Sequence, residues 1–446
     1  MSVAFSPSDT AAAPMAIAVG PVDRTLAFGP RGATPLSAFL GEVQALAMRL
    51  DASECVVNLC EDRHRFLTGF CAAALRGKPT LLPPSRAPEV VADVQRRHPS
   101  NQVLDDAAVA AVIASAAATM DAIPEVAAGA LAAIGFTSGS TGVPQANPKT
   151  WGAFATSTAQ NLAALRDLWP ADAQAQVVAT VPPQHMYGME LSVLLPLLGG
   201  AAVHEARPFF PADVARALAD ATSTRLLVTT PVHLRALVNS GVSLPPLAGI
   251  VSATAPLPAE LAMEAESRFG CEVRELFGST ETCVIARRRS ARETAWTPLP
   301  GVRVRALEDA TEVRAPHLPA PVLLADRVVV EGDGRFLLCG RQADLLEIAG
   351  KRASLGDLTR RLLEIPGVED GCVFQLDAAH GGVARLAALA VAPTRSEAEI
   401  LEALRAGIDA AFLPRPLRKV EALPRNETGK LPRAQLLDLL RRSRLP

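Results

Sequence analysis

Phe136-Thr137-Ser138-Gly139-Ser140-Thr141-Gly142-Val143-Pro144 follows an apolar run at residues 130–134 that reads as a buried strand. Hydroxyl side chains and glycines alternate through it. Such a loop offers backbone N–H groups that an anion can approach closely, several hydroxyl donors, and no bulky side chain to block entry. That is chemistry for cradling a phosphate. No Gly-Lys-Ser/Thr follows, so it differs from the lysine-ended nucleotide loop. A plain polar turn is the alternative, and the number of such residues locked behind one strand argues against it.

Outward from this loop the chain alternates short apolar strands with amphipathic helices. Strands are predicted at residues 176–181, 201–205, 225–229, 248–252 and 271–276, with helices at 189–198, 211–221, 231–239 and 258–269. Repeated strand–helix units imply an α/β fold, a sheet covered by helices on both faces, with ligands at the strand ends. After residue 294 the texture changes. Strand-like runs at 302–306, 322–324, 328–331 and 336–338, separated by Gly, Asp and Pro, suit a small β-rich subdomain over about 294–341. From 342 to 446 a helix (356–363), strands (371–375 and 384–391), a helix (396–411) and a basic tail form a compact α+β module. Residues 1–22 read as a frayed Ala/Pro/Ser leader with no secretion signal, which leaves 23–341 as the core.

Composition bounds the function. With 446 residues, 49% of them hydrophobic, the chain can bury a large core and fill two or more domains. A net charge of −2 argues against general nucleic-acid binding. The best apolar run, residues 191–203, is too short to span a bilayer and is broken by Pro196, Gly199 and Gly200. The seven cysteines show no Cys-x-x-Cys pair and read as thiols in a reducing cytoplasm. The histidines form no ligand cluster.

Four further clusters carry chemistry. In Glu275-Leu276-Phe277-Gly278-Ser279-Thr280-Glu281-Thr282 a strand runs into a glycine turn that presents a hydroxyl beside a carboxylate. That pair suits a phosphate oxygen and its Mg²⁺, while a capped helix start is the alternative. Asp326 stands fifteen residues before Arg341, either solvated or accepting from ribose hydroxyls. Residues 340–352, with Arg341, Gly350 and Arg352, form a charged crossing or a plain linker. Lys430, one of only five lysines, sits on a Thr-Gly turn between prolines and can act as a point charge.

Together these clusters resemble the adenylate-forming superfamily of acyl-CoA synthetases, nonribosomal-peptide adenylation domains and luciferases, from about residue 56 to the C-terminus. Residues 136–144 resemble its phosphate loop, with Thr137, Ser138, Gly139, Ser140, Thr141 and Gly142 toward ATP. Phe277, Gly278, Ser279, Thr280 and Glu281 resemble its Tyr-Gly-x-Thr-Glu, with Glu281 implied as the Mg²⁺ ligand and Thr280 as a catalytic contact. Ser252, Ala253, Thr254 and Ala255 resemble the loop against adenine. Asp326 and Arg341 match its ribose Asp and hinge-side Arg. His185, Tyr187 and Gly188 resemble the segment gating the acyl pocket, and Gly350 with Arg352 the loop beside the thiol channel. Lys430 matches the catalytic lysine.

The resemblance implies a large N-terminal domain and a small mobile C-terminal one. It implies attack of a carboxylate on the α-phosphate of ATP, then displacement of AMP by a thiol. Neutralising the charge of a pentavalent phosphorus suits a hydroxyl-rich loop, Mg²⁺ and a lysine. Two positions depart from the pattern. The loop ends Pro144-Gln145 instead of Pro-Lys, so Lys149 takes that charge or the loop works without it; and the hinge Asp is Ala343, with Asp344 beside it.

The short chain most resembles small bacterial ligases that load aryl or acyl groups, such as a hydroxybenzoate, onto acyl carrier protein in aryl-polyene and xanthomonadin-type pigment synthesis. An acyl- or aryl-CoA ligase and an inactive nucleotide-binding relative are the alternatives. Arg415, Arg418, Lys419, Arg425, Arg433, Arg441, Arg442 and Arg444 against Glu421, Glu427 and Asp438 give a local basic surface that suits an acidic carrier protein.

Overall fold

The computed structural model describes residues 13–116, 118–137, 145–222, 224–308, 310–341, 345–348, 351–376, 385–426 and 429–443. It divides into two compact units. The first is Met1–Glu293 with Pro298–Val302 and Ala315–Ala320; the second is Thr294–Thr297, Arg303–Arg314 and Pro321–Pro446.

The first unit holds two main sheets. The smaller runs in the order Asn101–Leu104, Cys55–Asn58, Thr80–Leu82, Leu131–Thr137, Gln145–Thr150. Its first four strands are parallel, and the last returns antiparallel. The larger sheet has a parallel centre in the order Glu272–Ser279, Gly249–Ser252, Arg225–Thr229, Gln176–Ala179, Ala202–His204. Strands buried on both faces read as unbroken apolar runs, and Leu226, Leu227 and Val228 are fully buried for that reason.

Helices Pro211–Asp220 and Pro231–Asn239 each start on a proline, whose missing N–H costs nothing at a first helical position. Their apolar stripes, among them Val214, Leu218, Leu234 and Leu237, pack on the sheet together with Leu261 of Ala259–Phe269. Burying each such leucine stabilises the unit by roughly 1.5–3 kcal/mol. Gly270, at φ 64°, ends the last of these helices in the left-handed conformation that glycine adopts without strain.

Three expectations shift. The helix expected at 189–198 starts at Met186 and contains a π-turn at Glu190–Leu194. The strand expected to stop at residue 276 runs on to Ser279, and Cys283–Arg288 folds back against it. The Glu281 segment is therefore a hairpin turn and not a capped helix start. The leader is already ordered at Pro14–Ala16, which pairs with Glu125–Ala127; residues 1–12 lie outside the described ones.

The second unit has a three-stranded sheet (Arg303–Ala306, Thr311–Arg314, Val322–Leu324) and the pair Asp326–Val330 with Phe336–Arg341. A hairpin, Leu345–Ile348 with Lys351–Ser354, follows. A second three-stranded sheet, Asp370–Gln375, Leu386–Val391 and Leu417–Lys419, carries two cores. One includes Leu358, Leu362 and Leu404, the other Leu436 and Leu440. No described helix is long and apolar enough to cross a membrane. The cysteines are free, and burial pushes the Cys55 thiol up to about 11 and that of Cys283 to about 12.

Candidate active site

The hairpin of the smaller sheet sets the ends of the hydroxyl-rich loop side by side, since Thr137 pairs in register with Gln145. Residues Ser138, Gly139, Ser140, Thr141 and Gly142 lie outside the described ones. Lys149, on the returning strand, is 7% exposed, and its Nζ donates to the Glu281 carbonyl at 2.6 Å. The structure thus gives this ammonium a partner in the Glu281 turn; residues 138–144, through which it would also serve the hydroxyl-rich loop, lie outside the described ones.

That turn is built tightly. A Cβ on Gly278 would lie 2.1 Å from the Cys283 carbonyl oxygen, so only glycine lets the two strands close here. Thr282, fully buried, accepts from the Ser279 N–H at 3.1 Å, and its own N–H donates to Ser279 Oγ at 3.2 Å. Thr280 is thereby presented into a small cleft that it lines with Gly135, Gln184, His185 and Met186. Gly135 is needed there too, because a Cβ would stand 2.8 Å from Thr280 Cγ2.

Glu281 is half-buried, and among the described residues no cation or donor meets its carboxylate. Two hard oxygens are left for a divalent cation, so this residue fits a Mg²⁺ that keeps most of its waters. Among the described residues no group of three or more His, Cys, Asp or Glu is set to hold a metal.

His185 stands at the head of the short helix Met186–Met189. Gly188 lets that helix pack on the preceding prolines, because a Cβ there would meet the Pro182 carbonyl at 1.9 Å. Tyr187 does not line the cleft. Its buried hydroxyl donates to the Val251 carbonyl at 3.0 Å, and burial raises its pKa. It anchors the helix to the larger sheet.

Hydroxyl residues stand at the ends of three parallel strands: Thr229 and Ser252 as last residues of theirs, and Thr180 directly after Gln176–Ala179. Thr229 pairs in register with Ser252. Thr180 and Thr229 share a hydrogen bond of 3.0 Å, and His233 Nδ1 lies 2.8 Å from Thr180 Oγ1. Desolvation, with Arg207 nearby, lowers the His233 pKa to about 4. The Ser252 hydroxyl is fully buried with no partner among the described residues. The following Ala253, Thr254 and Ala255 form a bend in which Thr254 takes φ 81°. Glu275 fastens this bend by accepting from the Leu257 N–H at 2.9 Å, and burial raises its pKa despite Arg288 at 2.7 Å.

The second unit places Asp326 opposite Arg341 in its antiparallel pair, with Thr311 Oγ1 donating to the Asp326 carbonyl at 2.5 Å. Gly350 lies outside the described residues, and the Arg352 backbone pairs with Glu347. Lys430 is exposed on a turn where its N–H donates to Asn426 Oδ1 at 2.8 Å and Gly429 takes φ 79°. Several basic side chains nearby are paired: Arg418 with Glu397, Arg425 with Asp370 and Arg442 with Asp438.

Sequence reasoning missed Glu190, His233 and His317. The hydroxyl that ends each apolar strand was a usable signal for the Thr180–Thr229–Ser252 row. Glu190, 1% exposed in the π-turn, had only its place inside an apolar helix to mark it.

The AMP-binding enzyme family matches residues 33–325 of this chain. A 4-coumarate–CoA ligase of Rhodobacter capsulatus is 34% identical over 298 residues, which make up 66% of this chain and 73% of the relative. A 3-hydroxybenzoate–CoA/4-hydroxybenzoate–CoA ligase of Thauera aromatica is 25% identical over 274 residues, 51% of this chain and 52% of that protein. Among solved structures, o-succinylbenzoate CoA synthetase from Bacillus subtilis, in complex with an acyl-adenylate intermediate, matches with a TM-score of 0.78 at 18% identity. The match covers 93% of this chain and 95% of that one, and at this identity it speaks for the fold.

Proposed function

This chain belongs to the AMP-binding enzyme family, and from that membership we propose that it is an AMP-forming ligase for an aromatic carboxylic acid. It activates the acid with ATP as acyl-AMP and passes the acyl group to the thiol of coenzyme A. The observation that carries the reading is local. One cleft brings together Gly135 beside the hydroxyl-rich loop, Thr280 beside Glu281, whose carboxylate has no partner among the described residues, and His185. In this reading the carboxylate of the substrate enters past His185. The Thr280 hydroxyl meets the α-phosphate, and Glu281 holds a Mg²⁺ whose charge offsets that of the phosphates. Asp326 accepts from the ribose and Lys430 supplies the last positive charge for adenylation, carried by a C-terminal domain beginning near residue 342 that turns between the half-reactions. A cytoplasmic setting belongs to the same proposal.

Relatives acting on coumarate and hydroxybenzoates support an aromatic acid and coenzyme A. Acyl carrier protein, with an aryl-polyene or xanthomonadin-type role, is the second reading, favoured by the basic C-terminal stretch. The ion pairs of Arg418, Arg425 and Arg442 leave less of that surface uncompensated. The test supplies ATP, Mg²⁺, 4-coumarate or a hydroxybenzoate, and either coenzyme A or an acyl carrier protein, and follows thioester by mass spectrometry. Transfer to coenzyme A is expected. Salt-sensitive loading of the carrier protein, with none of coenzyme A, selects the second reading.

A further inference from the structure

The turn that carries Glu281 and the start of the strand leaving it are gripped at three backbone groups by three side chains from three separate segments. Lys149 donates to the Glu281 carbonyl at 2.6 Å, and His317 Nε2 donates to the Thr282 carbonyl at 2.7 Å. Glu190 accepts from the Val284 N–H at 3.0 Å. All three are buried, at 7%, 4% and 1% exposure. Helix Trp151–Leu165 holds two of them in turn. Ser157 and Asn161 donate to Glu190 at 2.6 and 2.9 Å, and Gln160 Oε1 lies 2.7 Å from His317 Nδ1.

Burying an ammonium and a carboxylate is expensive, and apolar side chains of similar volume often hold a fold as well or better. Here both are placed on the few peptides that fix where one carboxylate points. From this we propose that Lys149, Glu190 and His317 are positioning residues for the Thr280–Glu281 turn, fixing the Glu281 carboxylate where it takes its divalent cation. Lys149 also couples that turn to the strand Gln145–Thr150. The inference rests on the function proposed above, because it takes Glu281 as the metal-holding group.

The test uses Lys149→Met, Glu190→Gln and the double variant of the full chain. It reads Mn²⁺ binding by electron paramagnetic resonance in the presence of a non-hydrolysable ATP analogue, together with analogue affinity and thermal midpoint. Lys149→Met should weaken Mn²⁺ binding about tenfold or more, as loss of support around a metal ligand does, with analogue affinity retained. Removing both buried charges in the double variant should return the midpoint toward the wild-type value and leave Mn²⁺ binding weak. If midpoint and Mn²⁺ binding recover together, the pair is merely structural and the proposal is wrong. If Lys149→Met instead weakens the analogue and spares Mn²⁺, the ammonium serves the phosphates and the proposal is likewise overturned. Wild-type protein that binds Mn²⁺ with the analogue but exchanges no pyrophosphate with any carboxylate defeats the ligase reading, while the Mn²⁺ comparison still decides the positioning one.

Discussion

The turn bearing Glu281 and the turn bearing Lys430 deliver the two charges expected to matter most, and they are built in opposite ways. The first is clamped by Lys149, His317 and Glu190, all nearly inaccessible to water. The second lies at the surface of its unit, shaped by the short loop from Asn426 to Lys430 and the left-handed Gly429. A carboxylate that must hold a cation at fixed distance gains from a rigid surround, because misplacement directly costs transition-state stabilisation. A lysine needed in one half-reaction and withdrawn in the next gains from exposure. Under the proposed function, rigidity is placed where both half-reactions share a group, and surface presentation where only one uses it.

The contrast breaks first at Lys430. Lys430→Ala should lower adenylation by about a thousandfold or more, while acyl transfer from a supplied acyl-adenylate is largely kept; stopped-flow and quench assays of the separate halves measure this. Glu281→Gln keeps the shape and removes the charge. It should depress pyrophosphate exchange by roughly a hundredfold and raise the Mg²⁺ concentration needed for half-maximal rate. Asp326→Ala should weaken ATP by about 1–3 kcal/mol, read by calorimetry; an unchanged affinity removes Asp326 from the ribose.

The smallest effect concerns pH. His233 is held neutral down to about 4, below its ordinary value, because burial disfavours its charged form. Between about pH 6.5 and 4 the unfolded chain takes up this proton and the folded one does not, so stability falls as pH falls through that window. His233→Gln should flatten the decline by at most about 3 kcal/mol, as seen in denaturant midpoints across that range.

What was legible in the sequence was what local chemistry sets. Strand Arg225–Thr229 and helix Pro231–Asn239 stand where the apolar run and the leading proline put them, since both signals lie inside the element. The strand through Phe277 and Gly278 was read too short, because its last residues are set by pairing with Cys283–Arg288 and not by their own propensity. The candidate site followed the same division. Thr280 and Glu281 stood out by type and neighbours, whereas His185 was marked only by the family resemblance. Lys149 was noticed as a cation, but its partner is 132 residues away, and the grips of His317 and Glu190 reach across 35 and 94 residues. Contacts that long leave no periodicity or spacing to find.

Carboxylate-driven exchange of labelled pyrophosphate into ATP tests the central claim most directly, because the proposed function requires Thr280, Glu281 and Lys430 together for it and no thiol. Exchange that depends on an aromatic acid such as 4-coumarate or a hydroxybenzoate, and collapses in Lys430→Ala, is the expected result. Wild-type protein that binds ATP but shows no exchange with any aromatic or aliphatic acid supplied would contradict it and leave a nucleotide-binding protein without ligase activity.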